Sequence, residues 1–267
     1  MCRFLLSFLF LFVVVTGGSA ARPFRTESFY GNVRTLQVRL SGDPLAPPVA
    51  LLGHDEGIVI SFDMLADDPE YLYYRIVHCN ADWTPSGLSD VEYIDGFNEL
   101  PVDDYSLSFN TYRNYVHYRI ALPNEEVRFR LSGNYAVLVY PEGNPDSLLL
   151  TACFSITENL VALGCEITTR TDVDYNKAHQ QLSFKVMYPR YEIRNPREEL
   201  KVSITTNVGY DDGVTVSQPL YVRNQELEYA HTPRLVFPAG NEYRRFETVS
   251  RHYNTIGVES MRYFDPY

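Results

Sequence analysis

The chain has 267 residues, with 23 Lys+Arg against 34 Asp+Glu and a formal net charge of −11 at pH 7. Such a surface repels nucleic acid and anionic lipid, and no basic stripe offsets it, so neither is expected as a partner. The four cysteines are too few and too scattered for a disulfide framework or a zinc-ligand spacing.

The first segment, MCRFLLSFLFLFVVVTGGSAA, has one basic residue, Arg3, and then twelve residues from Phe4 to Val15 that are apolar apart from Ser7. That run is short of the roughly 20 residues a membrane-spanning helix needs. Small residues from Gly17 to Ala21 come next, so residues 1–21 read as a cleaved signal peptide with the cut after Ala20 or Ala21. Cys2 precedes the apolar run, so it is not the lipid-bearing cysteine that would follow the run in a lipoprotein. The mature chain keeps 22 Lys+Arg against 34 Asp+Glu, a net charge of −12. A soluble exported product is expected.

Period-two alternation dominates the mature chain. In GIVISFDML, Ile58, Ile60, Phe62 and Met64 share one side while Ser61 and Asp63 take the other, as in a half-buried strand. Thr35–Leu40, Tyr71–Cys79, Asn114–Leu122 and Val127–Leu131 repeat the pattern. Gly42-Asp43-Pro44, Asp67-Asp68-Pro69, Pro123-Asn124 and 141–145 supply turns between them. In SGNYAVLVY, Gly133 followed by Tyr135, with Val137 and Val139 on one face, reads as the tyrosine corner of an immunoglobulin-like sandwich. In that motif the ring packs on the core and the hydroxyl bonds a nearby backbone group. Leu148–Ile156 then folds back as the next strand, and the first sandwich closes near residue 156.

Further strands are expected at His179–Pro189, Leu200–Val208, Leu220–Arg223, Arg234–Phe237, Phe246–His252 and Ile256–Tyr263. The fold class is therefore all-β: two consecutive immunoglobulin-like β-sandwich domains after the signal peptide. The expected boundaries are 22–158 and 159–267, with the second domain open to truncation at its end.

HCNADWTPSGLSDVEYIDGF, residues 78–97, concentrates the residue types from which sites are made. His78 and Cys79 are adjacent in a strand, so they point to opposite faces and share neither a metal nor a proton. Asp82 is placed to bond its own turn. Trp83 reads as a cover for the edge of a core rather than a stacking platform for a sugar. The segment is thus expected to be an ordered loop, held by Trp83, Tyr93 and Phe97, whose polar members Asp82 and Ser86 are available to a partner.

Asp67-Asp68, Asp103-Asp104 and Asp211-Asp212 lie beside Pro or Gly and read as solvated turns, since acid/base hydrolysis needs two carboxylates held across one cleft. No twelve-residue calcium loop, phosphate loop or nucleophile elbow is present, and the six histidines show no metal spacing. Neither a catalytic residue, a metal nor a cofactor is expected, and no small-molecule substrate.

A resemblance gives this quiet chemistry a context. YRIVHCNADWTPSGLSDVEYIDGF, SFNTYRNYVHYRIALPN and SGNYAVLVYPEGN resemble the first domain of the plug protein family of the type IX secretion system of Bacteroidota. The matching residues include His78-Cys79, Asp82-Trp83, Ser86, Glu92-Tyr93, Asp95-Gly96-Phe97, Ser108-Phe109-Asn110-Thr111 and Ser132-Gly133-Asn134-Tyr135. Asn195-Pro196, Pro219 and 239–244 with Phe246 continue the likeness into a second domain. The resemblance implies a non-enzymatic periplasmic protein that docks on the outer-membrane translocon barrel and seals it. The alternative from composition, 21 Tyr and one Trp on an exported chain, is a carbohydrate-binding or adhesion module. An outer-membrane barrel also alternates, but the short irregular strands and the lack of a strand-like C-terminal segment argue against it.

Overall fold

The structure is a computed structural model that describes residues 22–54, 56–205, 213–239, 247, 249–250 and 252–262. The leader at 1–21 lies outside the described residues. The chain separates after Glu158 into two compact units, Met1–Glu158 and Asn159–Tyr267.

In the first unit β1 (Glu27–Ser28), β2 (Val33–Leu40), β3 (Val49–Leu51), β4 (Ile58–Met64) and β5 (Leu72–Cys79) come first. A helical turn α1 (Asp90–Tyr93), β6 (Ile94–Gly96), β7 (Leu100–Pro101), β8 (Asp104–Leu107), β9 (Val116–Leu122), β10 (Val127–Phe129), β11 (Gly133–Pro141) and β12 (Leu150–Thr157) complete it. One sheet has the order β1-β12-β11-β5-β7, with β3 parallel to β12; the other is β2-β4-β9-β8, and β6 pairs with β10. Ile58, Ile60, Phe62 and Met64 of β4 fall in one core cluster with Leu72, Tyr74 and Ile76 of β5 and Tyr135, Val137 and Val139 of β11, each at most 4% exposed. The two sheets therefore close a sandwich over a single core. Full burial of one such side chain is worth about 1.5–3 kcal/mol, and a one-residue slip would turn the whole set outward, so this pattern fixes the register.

The local departures have local causes. β2 starts at Val33, two residues before the expected Thr35, and its pairing with β4 shifts between Arg34 and Gln37, where Thr35 has φ 50°. The stretch expected as loop from Asn80 to Phe97 contains α1 and β6. Ser89 and Glu92 form a capping box around α1, the Ser89 N–H and hydroxyl both donating to Glu92 Oε2 at 2.7 Å. Elements of three or four residues fall below any detectable period.

The second unit contains β13 (Ala162–Thr168), β14 (His179–Met187), a turn α2 (Pro196–Glu199), β15 (Val202–Ile204), β16 (Val214–Val216), β17 (Tyr221–Arg223), β18 (Glu226–Tyr229) and β19 (Val236–Pro238). The sheet order is β13-β14-β18-β17, with β19 also on β14, and β15 pairs with β16. Phe184, Val186, Leu227, Tyr229 and Leu235 form the core, joined by Val216 from β16. The β17–β18 hairpin turns through Asn224-Gln225 with Gln225 at φ 58°; without a glycine this turn carries little sequence signal. The strand expected at Ile256–Tyr263 is absent over its described residues 256–262, where Ile256 is 64% exposed and Val258 N–H closes a turn onto Thr255 O at 3.0 Å. The described members of the expected Phe246–His252 strand, 247, 249, 250 and 252, are also outside any strand. Residues 206–208, the end of the expected Leu200–Val208 strand, lie outside the described residues. Glu247 N–H does donate to Ile256 O at 2.9 Å, but one such bond among the described residues does not make a ladder.

Candidate functional site

β5 has β11 on one side for its whole length, but β7 covers only Tyr73 and Tyr74 on the other. Beyond Tyr74 the backbone groups of β5 need other partners, since a buried unpaired group costs about 1–3 kcal/mol. The segment from Asn80 to Asn98 supplies them. Ile76 N–H donates to Asn98 Oδ1 at 2.7 Å, and Asn98 Nδ2 donates back to Ile76 O at 2.8 Å, so one side-chain amide imitates a neighbouring strand. The Tyr93 hydroxyl, 2.9 Å from Ile76 O, also lies 2.5 Å from Asp90 Oδ1. Burial first, then the Asp90 carboxylate, push its phenol well above the usual tyrosine range. Ser86 N–H donates to His78 O at 2.9 Å, and an isolated β-bridge pairs Cys79 with Pro85.

His78 lies between loops. Its Nε2 is 3.4 Å from Ser132 O, which can only accept, so Nε2 carries the proton and Nδ1 accepts from the Ser86 hydroxyl at 2.9 Å. A carbonyl stands where a catalytic pair would have a carboxylate. The ring also lies edge-on to Tyr135 at 5.0 Å. Among the described residues no three His, Cys, Asp or Glu gather as a metal site.

Asp82 does bond its own turn, accepting from Thr84 N–H at 3.1 Å and from its hydroxyl at 2.6 Å. Trp83, at φ 64°, is half-buried with Phe24 and Val77 against Cys79, Ala136 and Cys153, a cluster on the face of β11 turned away from the main core. Phe24 N–H donates to Trp83 O at 2.9 Å, joining the N-terminal segment to this cover. Phe97, expected as an anchor, is 69% exposed. Gly96 before it has φ +116° and lies so close to Glu126 O that a Cβ would not fit, and the segment turns outward there. A cleft of about 550 Å³ opens beside the segment, lined by Arg75, His78, Leu88, Asp90, Tyr93 and Phe97 among others.

Tyr135 is fully buried, its hydroxyl donating to Leu131 O at 2.7 Å and lying 3.5 Å from Tyr93 O. Phe154 stacks on the ring at 5.8 Å, and Phe129 meets it edge-on at 4.8 Å. One side chain thus ties β11, β12, α1 and the 130–133 bend together. Sequence reasoning singled out Asp82, Trp83, Ser86, Tyr93, Phe97 and Tyr135; the fold brings Ser86, Tyr93 and Tyr135 around His78, sets Trp83 on the other face, and leaves Phe97 in solvent. It missed Asn98, which carries no signal beyond an Asn after Gly-Phe; Tyr118, noted only as part of the resemblance, has a hydroxyl that accepts from Glu70 N–H at 2.7 Å and donates to Glu70 O at 3.0 Å.

Residues 33–158 match the model of the type 9 secretion system plug protein 1st domain. A crystal structure of a hypothetical protein from Parabacteroides merdae ATCC 43184 superposes with a TM-score of 0.85 and 40% identity, covering 92% of this chain and 62% of that one, so the chain spans under two thirds of that relative. The DNA glycosylase AlkC of Pseudomonas fluorescens, bound to DNA containing an abasic site analog, reaches a TM-score of only 0.27 at 17% identity over 47% of this chain and 30% of that one, which bears on neither fold nor function. No curated protein matches the sequence. A secretion-system family, a β-rich sandwich and a segment 78–98 spent on its own scaffold agree with one another. Residues 33–158, just under half of the chain, are thus similar to the 1st domain of type 9 secretion system plug proteins.

Proposed function

We propose that the protein is a non-enzymatic periplasmic subunit that docks on the outer-membrane translocon barrel of the type IX secretion system and closes it when no substrate is passing. The family match over residues 33–158 carries this reading. The chemistry of the fold supports it: a plug needs a stiff body with a specific surface, and Asp82, Ser86, Tyr93 and His78 direct their polar atoms to their own backbone or to one another rather than into a reaction site. Among the described residues no helix is long and apolar enough to cross a membrane; on this reading, attachment to the envelope runs through protein contact. The carbohydrate-binding alternative loses its best residue, because the Trp83 ring packs over Cys79 and Cys153. A tagged copy purified from the native host in detergent should bring down the barrel. A monodisperse monomer from the same extracts would count against the role.

A further inference from the structure

Four connections meet at one end of the first unit's sandwich: 29–32 between β1 and β2, 65–71 between β4 and β5, 108–115 between β8 and β9, and 142–149 between β11 and β12. Hydrogen bonds join them. Leu65 N–H donates to Asn32 O at 2.8 Å, Asn114 Nδ2 to Asp67 Oδ1 at 2.9 Å and Glu142 N–H to Tyr71 O at 2.9 Å, while the Tyr30 and Ser147 hydroxyls lie 3.2 Å apart. This end displays Phe29, Tyr30, Tyr71, Phe109 and Tyr112 at 49, 47, 81, 94 and 99% exposure. At the opposite end, made by 41–57, 80–98 and 123–132, Phe97 is the one aromatic exposed to a comparable degree among the described residues.

The 108–115 loop does not need its rings to hold its shape. Ser108 N–H donates to Tyr115 O at 2.9 Å, Tyr115 N–H to Ser108 Oγ at 3.0 Å, and the Thr111 hydroxyl to Arg113 O at 2.8 Å. Phe109 and Tyr112 therefore stand in water on a preformed support and pack on nothing among the described residues. Rings presented this way lose little conformational entropy on docking, and aromatic anchors dominate protein interfaces. Around them Asp67, Asp68, Glu70, Glu142 and Asp146 are exposed, with Arg113 as the one basic residue in the four connections. An acidic rim of that kind keeps the rings off an anionic bilayer and favours a protein face with the opposite charge.

We infer that this aromatic end is the docking surface of the first unit, and that it takes a protein face with apolar pockets bordered by Lys and Arg. Resting on the function proposed above, that face belongs to the periplasmic mouth of the translocon barrel. The test measures binding of the full chain to the detergent-solubilised barrel, comparing wild type with the double variant Phe109→Ala/Tyr112→Ala and with Phe97→Ala. The double variant should keep its thermal midpoint and bind at least about tenfold more weakly, while Phe97→Ala binds as wild type does. A wild type that ignores the barrel overturns the plug reading and this inference together. A wild type that binds, with a double variant that binds equally well, overturns this inference alone. Loss in the double variant of flotation with phosphatidylethanolamine/phosphatidylglycerol vesicles, with barrel binding intact, would overturn it in favour of a membrane surface.

Discussion

Replacing Asn98 by Ala removes the amide that stands in for a strand beside Ile76. Ile76 is 1% exposed, so its N–H, now 2.7 Å from Asn98 Oδ1, would lose its partner in a place water does not reach. That penalty is about 1–3 kcal/mol. The second bond, from Asn98 Nδ2 to Ile76 O, is backed up by the Tyr93 hydroxyl at 2.9 Å, so its loss should add only about 0.5–1 kcal/mol. A destabilisation of about 2–3 kcal/mol results, or a urea midpoint lower by about 1–1.5 M at a slope near 2 kcal/mol per M. Trp83 is the only tryptophan and packs within the same unit, so its fluorescence reports the transition directly. Amide exchange at Ile76 should speed up in parallel. A change below about 0.5 kcal/mol, with Ile76 still protected, would mean that the β5 edge is not closed by this amide, and the account of residues 80–98 would fall with it.

Tyr135→Phe removes the hydroxyl bonded to Leu131 O and should cost about 1 kcal/mol, read from the same denaturation curves; an unchanged midpoint would show the corner to be decorative. Gly96→Ala should cost more than about 2 kcal/mol, because φ is +116° and the new Cβ would collide with Glu126 O, whose neighbour Val127 pairs with Gly96; a wild-type midpoint would contradict the β6–β10 register. Cys79 on β5 and Cys153 on β12 are separated by β11, two strand spacings or about 9.6 Å, beyond the roughly 7 Å over which a disulfide closes, so all three thiols of the described chain stay free. Thiol titration of the native protein should find Cys165 reacting fast and the other two only on unfolding; three fast thiols would refute the packing of Trp83 over them. Burial pushes the Cys79 thiol up to about 11 and the Cys153 thiol up to about 12 from an ordinary 9.0. The folded state then holds protons that the unfolded chain releases, so stability should be level below pH 9 and fall between pH 9 and about 12, less steeply in Cys79→Ala than in wild type. The phenols of Tyr118, Tyr135 and Tyr229, raised by burial, act in the same direction.

Sequence alone determined the β character and most of the first unit's core. The alternation through Ile58–Met64 and Tyr135–Val139 allows one buried face and one register, and burial of that face outweighs any other arrangement of the same residues. Adjacency along a strand was enough to separate the faces of His78 and Cys79, and Asp82 bonded within two residues, as its chemistry dictates. Contacts between residues far apart in the chain were decided only by the tertiary structure. Whether Phe97 is an anchor or a solvent-facing ring depends on how Gly96 meets Glu126, thirty residues on. Whether Asn98 matters depends on where β7 stops covering β5. The alternation at Ile256–Tyr263 found no neighbouring strand among the described residues, and the five rings at one end of the sandwich were spread over 84 positions of sequence until three turns brought them together. Pattern records which face of a segment prefers to be dry; pairing and proximity depend on loop closure and packing, which no local window contains.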